Sequence, residues 1–564
     1  MPEPRTGGRT AGRQPPRIRL ADLLVALSGV ADLGMALPIG SSVRAALVAV
    51  DLAHHLRWPE RDISAVFYAA LLQHIGCTAY SHEVTSLFED EQSVKRAALA
   101  TDFSRPREVV LGYLPRITSD APPGQRLRTV RSALLHSRRM TVGYRTANCE
   151  TAALVARRLS LPEATRLALL DNFEWWNGGG GPRGLRGDDI SPVSRLVNVA
   201  GFAVFFDGIG GPDAARQALA RRSGRYLDPE VVEAFMVRAD ELLARTNAGD
   251  VSDRLLATEP EPHRRVTDDS ALDDALRVFG EAVDLKSPYF HGHSATVSRL
   301  AAEACCRLGQ PTEAVVLAGR AGLVHDIGRV AVATGVWEHA GPLGSDAWQQ
   351  VRLHAYHSEQ ILARSAGLAA VARLAGAHHE RLDGGGYHRG IPGAQLSVPA
   401  RVIAVADRYA ALVSDRPQRP AQTPAQARAI LGGEARDGRL DPDAVRAVVS
   451  AAEGTTGGRA TPPAGLTRRQ VDVLRLMAQG LSNRAIADRL VISPRTAEHH
   501  VQDVYARIGV TSRAAAALFA MEHGLLQPVA SEMRSSADAG RIVPPRSSFR
   551  TTGSRSTGAR RKAL

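Results

Sequence analysis

An all-α protein with several domains is what the sequence predicts. The chain has 564 residues, which is too many for one ordinary hydrophobic core. Apolar residues recur at helical spacing in many segments, as at Val402, Val405 and Tyr409. Polar stretches containing Pro and Gly, at 251–270 and 453–465, separate these segments and are typical of linkers. We therefore expect helical domains that follow one another along the chain.

The two ends of the chain are polar and basic. Residues 1–20 carry five Arg and one Glu, and residues 531–564 carry eight basic and two acidic residues. Residues 466–527 add a charge of +3, so these three segments account for the net charge of +12. This distribution favours nucleic acid as the partner of the C-terminal domain. We predict disordered basic tails at 1–19 and 528–564.

Nothing in the sequence predicts export or a membrane span. The N-terminal segment lacks the apolar stretch of a signal peptide, and no run of about 18 apolar residues occurs in the chain. The four cysteines show no C-x-x-C spacing, which fits a reducing compartment. We therefore expect a cytoplasmic protein that does not contact a membrane.

Residue types that bind metal ions recur between positions 293 and 407. In chain order they are His293, His325, Asp326, His354, His378, His379 and Asp407. Alone, each has an ordinary explanation, such as a hydrogen-bonded core histidine. A carboxylate on an apolar helix face, such as Asp407, nevertheless needs a charged partner or a metal. Together the residues indicate a site for Fe, Mn or Zn, in which one carboxylate could join two ions.

The element HHERLDGGGY at 378–387, with the motifs around it, resembles the HD-GYP domains. These are a branch of the HD phosphohydrolases whose known members hydrolyse cyclic di-GMP, and the resemblance spans about residues 271–452. It implies that the seven residues bind two divalent ions, with iron or manganese favoured over zinc. It also implies that Asp326 bridges the ions and that Asp383 organises the substrate loop. The catalytic residues would then be Asp326, Arg329 and Asp383.

Three positions depart from the family pattern. His388 stands where the family has Pro, Arg329 where it has Lys, and Tyr289 where trinuclear members have Glu. The last departure predicts two metals rather than three. Arg329 and Arg381 are candidates for holding phosphate oxygens, with a surface ion pair as the alternative for each. Tyr387 is a further candidate for contacting the substrate.

The N-terminal half repeats these motifs without their ligands. AALLQHIGCTAY resembles AGLVHDIGRVAV, and the later motifs of the two halves keep a constant offset of 206 residues. The positions of the metal-binding types and of Asp383 are filled by Ser41, Gln73, His74, Asn148, Asn172, Phe173, Asn177 and Gly201. This set cannot hold a pair of metal ions. We predict a degenerate HD-GYP copy at 20–250 that serves as a scaffold or as a sensor.

Four helices are predicted within residues 466–527. Ser493 is a natural N-cap and Pro494 a natural first helical residue, so a helix begins there. The segment resembles the LuxR-type helix-turn-helix, in which the family's usual Glu is replaced by Gln470, a change expected to cost a structural hydrogen bond. The resemblance implies that the last helix supports a homodimer. It also implies DNA contacts from Arg495 and Thr496 to phosphate, and from Glu498, His499 and Gln502 to base edges.

The sequence thus predicts tandem HD-type helical domains followed by a four-helix LuxR-type domain. We interpret the chain as a transcriptional regulator that binds DNA and carries a metal-dependent phosphohydrolase domain. Its substrate would be cyclic di-GMP or a related phosphodiester. The alternative is a non-catalytic transcription factor whose HD-type domains only bind a nucleotide. Replacing Asp326 by Ala would distinguish the two, because only the enzyme has turnover to lose.

Overall fold

The structure, a computed structural model, describes most of the chain, namely residues 18–88, 90–118, 123–247, 249–260, 265, 267–454 and 462–526. For 123–130 and 132–137 it describes the backbone alone. Across these ranges the regular elements are helices, and the sheet pairing consists of two isolated bridges. The prediction of an all-α protein is therefore confirmed. The predicted tails, apart from Ile18 and Arg19, and the middle of the linker 453–465 lie outside the described residues.

The first helical body extends from Leu20 to Ala257. Its helices are α1 (Leu20–Gly34), α2 (Ser41–His55), α3 (Glu60–Leu72), α4 (Ser81–Thr85), α5 (Glu91–Ala100), α6 (Pro106–Glu108), α7 (Leu114–Ile117), α8 (Pro123–Arg158), α9 (Glu163–Leu170), α10 (Pro192–Arg222), α11 (Pro229–Thr246) and α12 (Val251–Ala257). Helices α1, α2, α3 and α10 form the centre of its core, where most apolar side chains are fully buried.

Helix α10 is the one described helix that is long and apolar enough to cross a membrane. Half of its apolar window is buried inside the protein, and Leu196, Val199 and Ala203 are fully buried in the core. The helix is also broken at Gly210 and Gly211, where the backbone leaves helical dihedral angles. Length and composition alone are weak evidence here, because a core helix of a soluble domain meets the same criteria.

The predicted linker 251–270 is partly a helix. Asp250 begins α12 by accepting hydrogen bonds from the backbone N–H groups of Ser252 (2.8 Å) and Asp253 (3.3 Å). Leu255 is fully buried, so α12 belongs to the first body. The polar composition of the segment concealed this element, because a single buried leucine gives no periodic pattern.

The second helical body follows from Asp269 to Glu453. It consists of α13 (Asp269–Asp284), α14 (His293–Arg307), α15 (Thr312–Val324), α16 (Thr334–Trp337), α17 (Ser345–Leu362), α18 (Ala369–Gly376), α19 (Val398–Leu412), α20 (Pro424–Arg436) and α21 (Pro442–Glu453). A short 3-10 turn, Ile327–Ala331, follows α15. Helices α14, α15 and α19 pack together at its centre.

Each body contains the same buried pair of hydrogen bonds between an aspartate and a serine, at the start of α2 in the first body and of α14 in the second. In the first body the Asp32 carboxylate accepts hydrogen bonds from the backbone N–H (2.8 Å) and the hydroxyl (2.6 Å) of Ser42. In the second, Asp284 accepts the same pair from Ser294 at 3.0 and 2.9 Å. Burial raises the pKa of both carboxyl groups to about 6. The sequence repeat therefore corresponds to a repeated structure.

A second repeated feature is the close approach of a glycine to the backbone of another helix. A Cβ atom on Gly76 would lie 2.2 Å from the carbonyl oxygen of Asn148 in α8. A Cβ atom on Gly328 would lie 2.1 Å from the carbonyl oxygen of His354 in α17. Neither position has room for a side chain. The turn after α3 is thus packed directly against α8 in the first body, and the turn after α15 is packed directly against α17 in the second.

Buried charges join the first body to the second. The Lys286 amino group donates to Glu91 Oε1 at 2.7 Å, and both side chains are almost fully buried. Thr334 donates to the same carboxylate from its backbone N–H and its hydroxyl. The amide of Gln92 donates to the carbonyl oxygen of Val330 at 2.8 Å. The beginning of α5 is therefore anchored on the 3-10 turn and α16 of the second body.

The C-terminal domain comprises α22 (Arg468–Ala478), α23 (Asn483–Leu490), α24 (Pro494–Ile508) and α25 (Arg513–Glu522). Gln470 does not cost a structural hydrogen bond, contrary to the prediction. The side-chain oxygen of Gln470 accepts from the backbone N–H of Thr467 at 2.9 Å. The backbone N–H of Gln470 donates to the Thr467 hydroxyl at 3.2 Å. Glutamine thus completes the capping box that Glu would form.

This domain packs on the two helical bodies. The Glu150 carboxylate of α8 accepts from the backbone N–H and hydroxyl of Thr511 and from the backbone N–H of Ser512, at 2.6 to 2.9 Å. The imidazole of His291 contacts the carbonyl oxygen of Ala478 at 2.5 Å. Apolar residues of both bodies, including Ala147 and Leu285, share one buried cluster with the domain. Helix α25 lies at this contact.

Candidate metal centre and DNA-binding surface

The structure brings together all seven residues predicted to bind metal. They come from the start of α14, the end of α15, the middle of α17, the end of α18 and the middle of α19. Their donor atoms form two groups, each with all members within 4.8 Å of one another. The first group is His293, His325, Asp326 and Asp407, and the second is His354, His378 and His379.

Asp326 lies between the two groups. Its Oδ2 atom is 2.9 Å from His325 Nε2 and 3.3 Å from His293 Nε2. Its Oδ1 atom is 3.2 Å from His354 Nε2 and 3.4 Å from His378 Nε2. Each carboxylate oxygen thus faces the imidazoles of one group. This is the arrangement expected for a carboxylate that joins two ions.

The imidazoles of the second group are oriented to bind a metal ion rather than to form a hydrogen bond with each other. The Nδ1 atom of His378 lies 2.6 Å from the carbonyl oxygen of Ala375, and Nδ1 of His354 contacts the carbonyl oxygen of Val351. Each Nδ1 is therefore placed to donate its proton, and in the neutral imidazole this tautomer leaves a lone pair on Nε2. These two Nε2 atoms are only 3.0 Å apart. Two facing lone pairs repel unless a cation lies between or beside them.

At His378, His379 and Asp326 the electrostatics of the site favour the protonation state that binds metal. Burial lowers the pKa of His378 to about 4 and holds that of His379 well below its usual range, so both are neutral. Burial alone would raise the pKa of Asp326, but Arg329 and His325 hold it well below its usual range. Burial likewise lowers the pKa of His325, but Asp326 beside it raises it to about 10. Metal binding would therefore release a proton from His325.

Two guanidinium groups flank the site. Arg329 forms an ion pair with Asp326 and stacks on Phe290, with its Cζ atom 4.3 Å from the ring centroid. Its Nε and Nη1 atoms have no hydrogen-bond partner among the described residues. Arg416 stacks on the same ring at 4.9 Å, and burial lowers its pKa to about 10. Sequence reasoning missed Arg416, because it follows α19 outside any recognised motif.

Glu380 holds the backbone of the loop after α18 at two points. The Glu380 carboxylate is buried and accepts from the backbone N–H groups of Arg389 and Ile391, both at 2.8 Å. Asp383 is exposed, accepts from the backbone N–H of Gly385 at 2.8 Å, and belongs to neither group of metal-binding types. The repeat contained the signal that was missed, since Glu174 stands 206 residues before Glu380.

Of the residues predicted to contact the substrate, some lie beside the metal-binding residues and one is exposed on the loop. The Tyr387 ring lies beside the metal-binding types, with its centroid 4.6 Å from that of His379. The peptide bond between Tyr387 and His388 is cis, and His388 Nε2 lies 3.5 Å from Glu359 Oε2. Arg381 is exposed on the loop. Of the two predicted phosphate-holding residues, only Arg329 therefore contacts Asp326.

Gly328 offers a test of how the centre is positioned. We expect Gly328→Ala to lower metal affinity about 10–100-fold, because the new methyl group would displace α17 and, with it, the imidazole of His354. Metal titration of the purified variant measures this effect. Gly344→Ala is the matched control, since nothing lies within 4 Å of its Cβ position. Equal metal affinity in the two variants would contradict the argument.

The five predicted DNA contacts all lie on α24 and are exposed. Their neighbours Ala497, Val501 and Val504 are buried in the domain core, so the helix presents one polar face outward. The Ser493 hydroxyl accepts from the backbone N–H of Thr496 at 3.0 Å, as predicted for an N-cap. The exposed residues of this face are Arg495, Thr496, Glu498, His499 and Gln502.

Comparison with known proteins identifies both parts of the chain. The family model described as HD domain matches residues 277–444, and that of the bacterial regulatory proteins of the luxR family matches residues 464–520. The 3′3′-cGAMP-specific phosphodiesterase 3 of Vibrio cholerae is 30% identical over 418 residues, which cover 73% of this chain and 90% of that protein. A cyclic di-GMP phosphodiesterase of Pseudomonas aeruginosa is 36% identical over 164 residues, or 29% of this chain and 39% of that protein.

A solved structure supports the same relationship. The crystal structure of a cyclic GMP-AMP specific phosphodiesterase of V. cholerae matches with a TM-score of 0.55 and 26% identity. The match covers 78% of this chain and 99% of that chain, so it extends beyond one HD domain. The chain therefore belongs to the HD-GYP family of HD-domain phosphohydrolases, and a DNA-binding domain of the luxR family follows its HD domain.

Proposed function

We propose that the second helical body hydrolyses a cyclic dinucleotide, such as cyclic di-GMP or 3′3′-cGAMP, in a cytoplasmic transcriptional regulator. The observation that carries the proposal is the position of Asp326, whose two oxygens face two separate groups of imidazoles. The relatives from V. cholerae and P. aeruginosa, named for 3′3′-cGAMP and cyclic di-GMP, support this class of substrate. In this proposal the seven residues hold two divalent ions, with iron or manganese favoured over zinc.

The residues around the centre have complementary roles in this proposal. The ions would supply positive charge for the phosphate oxygens and a water activated for attack at neutral pH. Arg329 is held against Asp326 by one nitrogen, and its Nε and Nη1 atoms remain available to a phosphate oxygen. Arg416 adds a second positive charge beside the ring of Phe290. Tyr387 forms the wall beside His379 where a nucleobase would lie.

The test is a hydrolysis assay with the full chain loaded anaerobically with iron or manganese. Cyclic di-GMP and 3′3′-cGAMP are compared side by side, with product formation followed over time and metal content measured in the same samples. We expect metal-dependent cleavage of at least one of them. Protein with a full complement of metal that cleaves neither would contradict the proposal and favour a receptor that binds the nucleotide without cleaving it.

The receptor remains the second candidate because the DNA-binding domain packs directly on both helical bodies. His291 lies two residues before His293, and its imidazole contacts Ala478 at the end of α22. Occupancy of the centre could thus reach the DNA-binding domain without turnover. Binding of either cyclic dinucleotide, measured by calorimetry on the metal-loaded protein, combined with no product would favour this candidate.

The DNA-binding face of α24 yields separate predictions for phosphate and base contacts. We expect Arg495→Ala to weaken binding to all DNA sequences alike. The number of counterions released on binding, read from the salt dependence of the affinity, should fall by about one.

We expect Gln502→Ala to cost about 1–3 kcal/mol of binding free energy on the preferred site and to relax specificity at one base pair. Fluorescence anisotropy at several salt concentrations measures both effects. An unchanged salt dependence in Arg495→Ala would exclude this arginine as a phosphate contact.

A further inference from the structure

The first helical body contains a large cavity at the place where the second body has its metal centre. The cavity has a volume of about 530 Å³, which is typical of pockets for small organic ligands. Its lining includes Gln73, Asn172 and Gly201, the residues that replace His325, His378 and Asp407. The degenerate copy has therefore lost its ligands but kept an internal space.

An insertion builds the outer wall of this cavity. Gln73 and Asn148 are 75 residues apart, whereas His325 and His354 are 29 residues apart, so the first copy is 46 residues longer here. Helices α4 to α7 lie within this longer segment. Helix α5 and the residues after it contribute apolar side chains to the wall, namely Val94, Ala98, Leu99, Phe103, Val109, Tyr113 and Leu114. The extra residues thus supply a large apolar part of the cavity wall.

The chemistry of the former metal site is neutral. The side-chain amide of Gln73 donates to Asn172 Oδ1 at 3.0 Å and to Asn198 Oδ1 at 2.8 Å. The position that would hold the equivalent of Asp407 is Gly201, and a Cβ there would lie 3.0 Å from Gln73 Oε1. Burial lowers the pKa of His74 to about 4, so this imidazole is also neutral. Three linked amides therefore replace the charged centre.

The remaining walls are aromatic and carry Arg145, whose charged form the Glu174 carboxylate favours without forming an ion pair with it. Arg145 stacks on Trp175, with its Cζ atom 4.7 Å from the ring centroid, and has no hydrogen bond or ion pair with a described residue. Glu174 also lines the cavity, but its carboxylate accepts from the backbone N–H groups of Arg183, Gly184 and Leu185. The amino group of Lys95 donates to Gly34 and Ser81. Arg145 is thus the charge available to a ligand.

We propose that the first helical body is a receptor for a predominantly apolar small molecule with a single acidic group. The aromatic walls bury the body of the ligand, and the acidic group pairs with Arg145. The neutral amides at the former metal site exclude a metal ion and offer hydrogen bonds to a carbonyl or hydroxyl group. This assignment of a binding site does not depend on the function proposed for the second body.

Helix α5 connects this cavity to the catalytic centre. Its middle lines the cavity through Val94 and Lys95, whereas its first residues, Glu91 and Gln92, bind the second body. Gln92 binds Val330, in the 3-10 turn directly after Asp326. A ligand that shifts α5 therefore acts on the turn that carries Arg329. The effect on hydrolysis rests on the proposed function, whereas the effect on this turn does not.

The binding test uses two fluorescent probes of nearly equal shape with the full chain. Anilinonaphthalene sulfonate has an apolar body and one anionic group, and N-phenyl-1-naphthylamine lacks that group. We expect both to bind with one-to-one stoichiometry. Arg145→Gln should weaken binding of the sulfonate probe about tenfold or more without weakening binding of the neutral probe. Arg145→Lys should restore part of the affinity for the sulfonate probe. Equal effects of Arg145→Gln on both probes would overturn the role of this arginine.

A second variant tests the location of the site. Ala98→Trp places an indole in the cavity from α5 and should abolish binding of both probes. Circular dichroism establishes that the variant folds, and Arg145→Gln carries the test if it does not. Full probe binding by folded Ala98→Trp would overturn the proposal, as would no one-to-one binding by the wild-type chain.

Hydrogen exchange then tests the connection through α5. Addition of the sulfonate probe should change amide protection in peptides that cover Gln92 and Ile327–Ala331, whether or not the protein hydrolyses a nucleotide. Probe binding without any change at Ile327–Ala331 would overturn the connection. A protein that binds the probe, shows this change and yet cleaves no cyclic dinucleotide would contradict the function proposed for the second body alone.

Discussion

Asp326→Ala is expected to abolish hydrolysis, with a loss in kcat/KM of about 10³-fold or more. The variant removes a carboxylate whose two oxygens face imidazoles of both groups. In the proposed two-metal site neither ion would then be held in its place, and Arg329 would lose its ion-pair partner. The measurement is steady-state hydrolysis together with the metal content of the same protein.

The matched control for this variant is Asp346→Ala. Asp346 is an exposed carboxylate in the first turn of α17 in the same domain, and it belongs to neither group of metal-binding types. We expect wild-type metal content and wild-type rates in this control. Retention of both metal and turnover by Asp326→Ala would show that the chemistry does not depend on this carboxylate.

Glu91→Ala is expected to lower the free energy of unfolding by about 3–5 kcal/mol, because it leaves a buried charge without its partner. Lys286 is fully buried and has Glu91 as its ion-pair partner at 2.7 Å. The variant also removes the acceptor for the backbone N–H and hydroxyl of Thr334. Chemical denaturation measures the effect. Glu163→Ala, which removes an exposed carboxylate on α9, should leave the stability nearly unchanged.

The same ion pair makes stability depend on pH. Burial alone would raise the pKa of Glu91, but Lys286 and Lys95 lower it from 4.5 to about 2. A carboxyl group with a lowered pKa in the folded state stabilises the protein above pH 4.5 and loses this contribution as the pH falls towards 2. Glu91→Gln should therefore show a weaker loss of stability in that range. An identical pH dependence in the variant would exclude Glu91 as its origin.

The sequence was informative where chemistry and spacing coincide. Seven residues separated by as many as 114 positions were predicted to share one site, because imidazoles and carboxylates recur in motifs on helical segments. The repeat was detectable because its later motifs keep one offset. Short caps were predictable as well, since Ser493 and Pro494 define a helix start from local rules alone.

Contacts that depend on tertiary packing were not predictable. Arg416 reaches the centre only because it stacks on Phe290, which lies 126 positions earlier in the chain. Glu91 and Lys286 are far apart in sequence, and isolated charges in polar segments give no signal that they are buried. The role of Glu380 was obscured by Asp383, because the motif contains two carboxylates and only packing determines which is buried.

The contact between Glu150 and α25 restricts how two chains can associate on DNA. If α25 joins two chains, as its family resemblance implies, and does so through the face that lies on α8, that face must first separate from its own chain. The observed affinity for a palindromic site is then the intrinsic affinity multiplied by the fraction of released domains. The protein concentration needed to occupy a promoter would therefore depend on how firmly the domain packs on its own chain, as well as on its affinity for DNA.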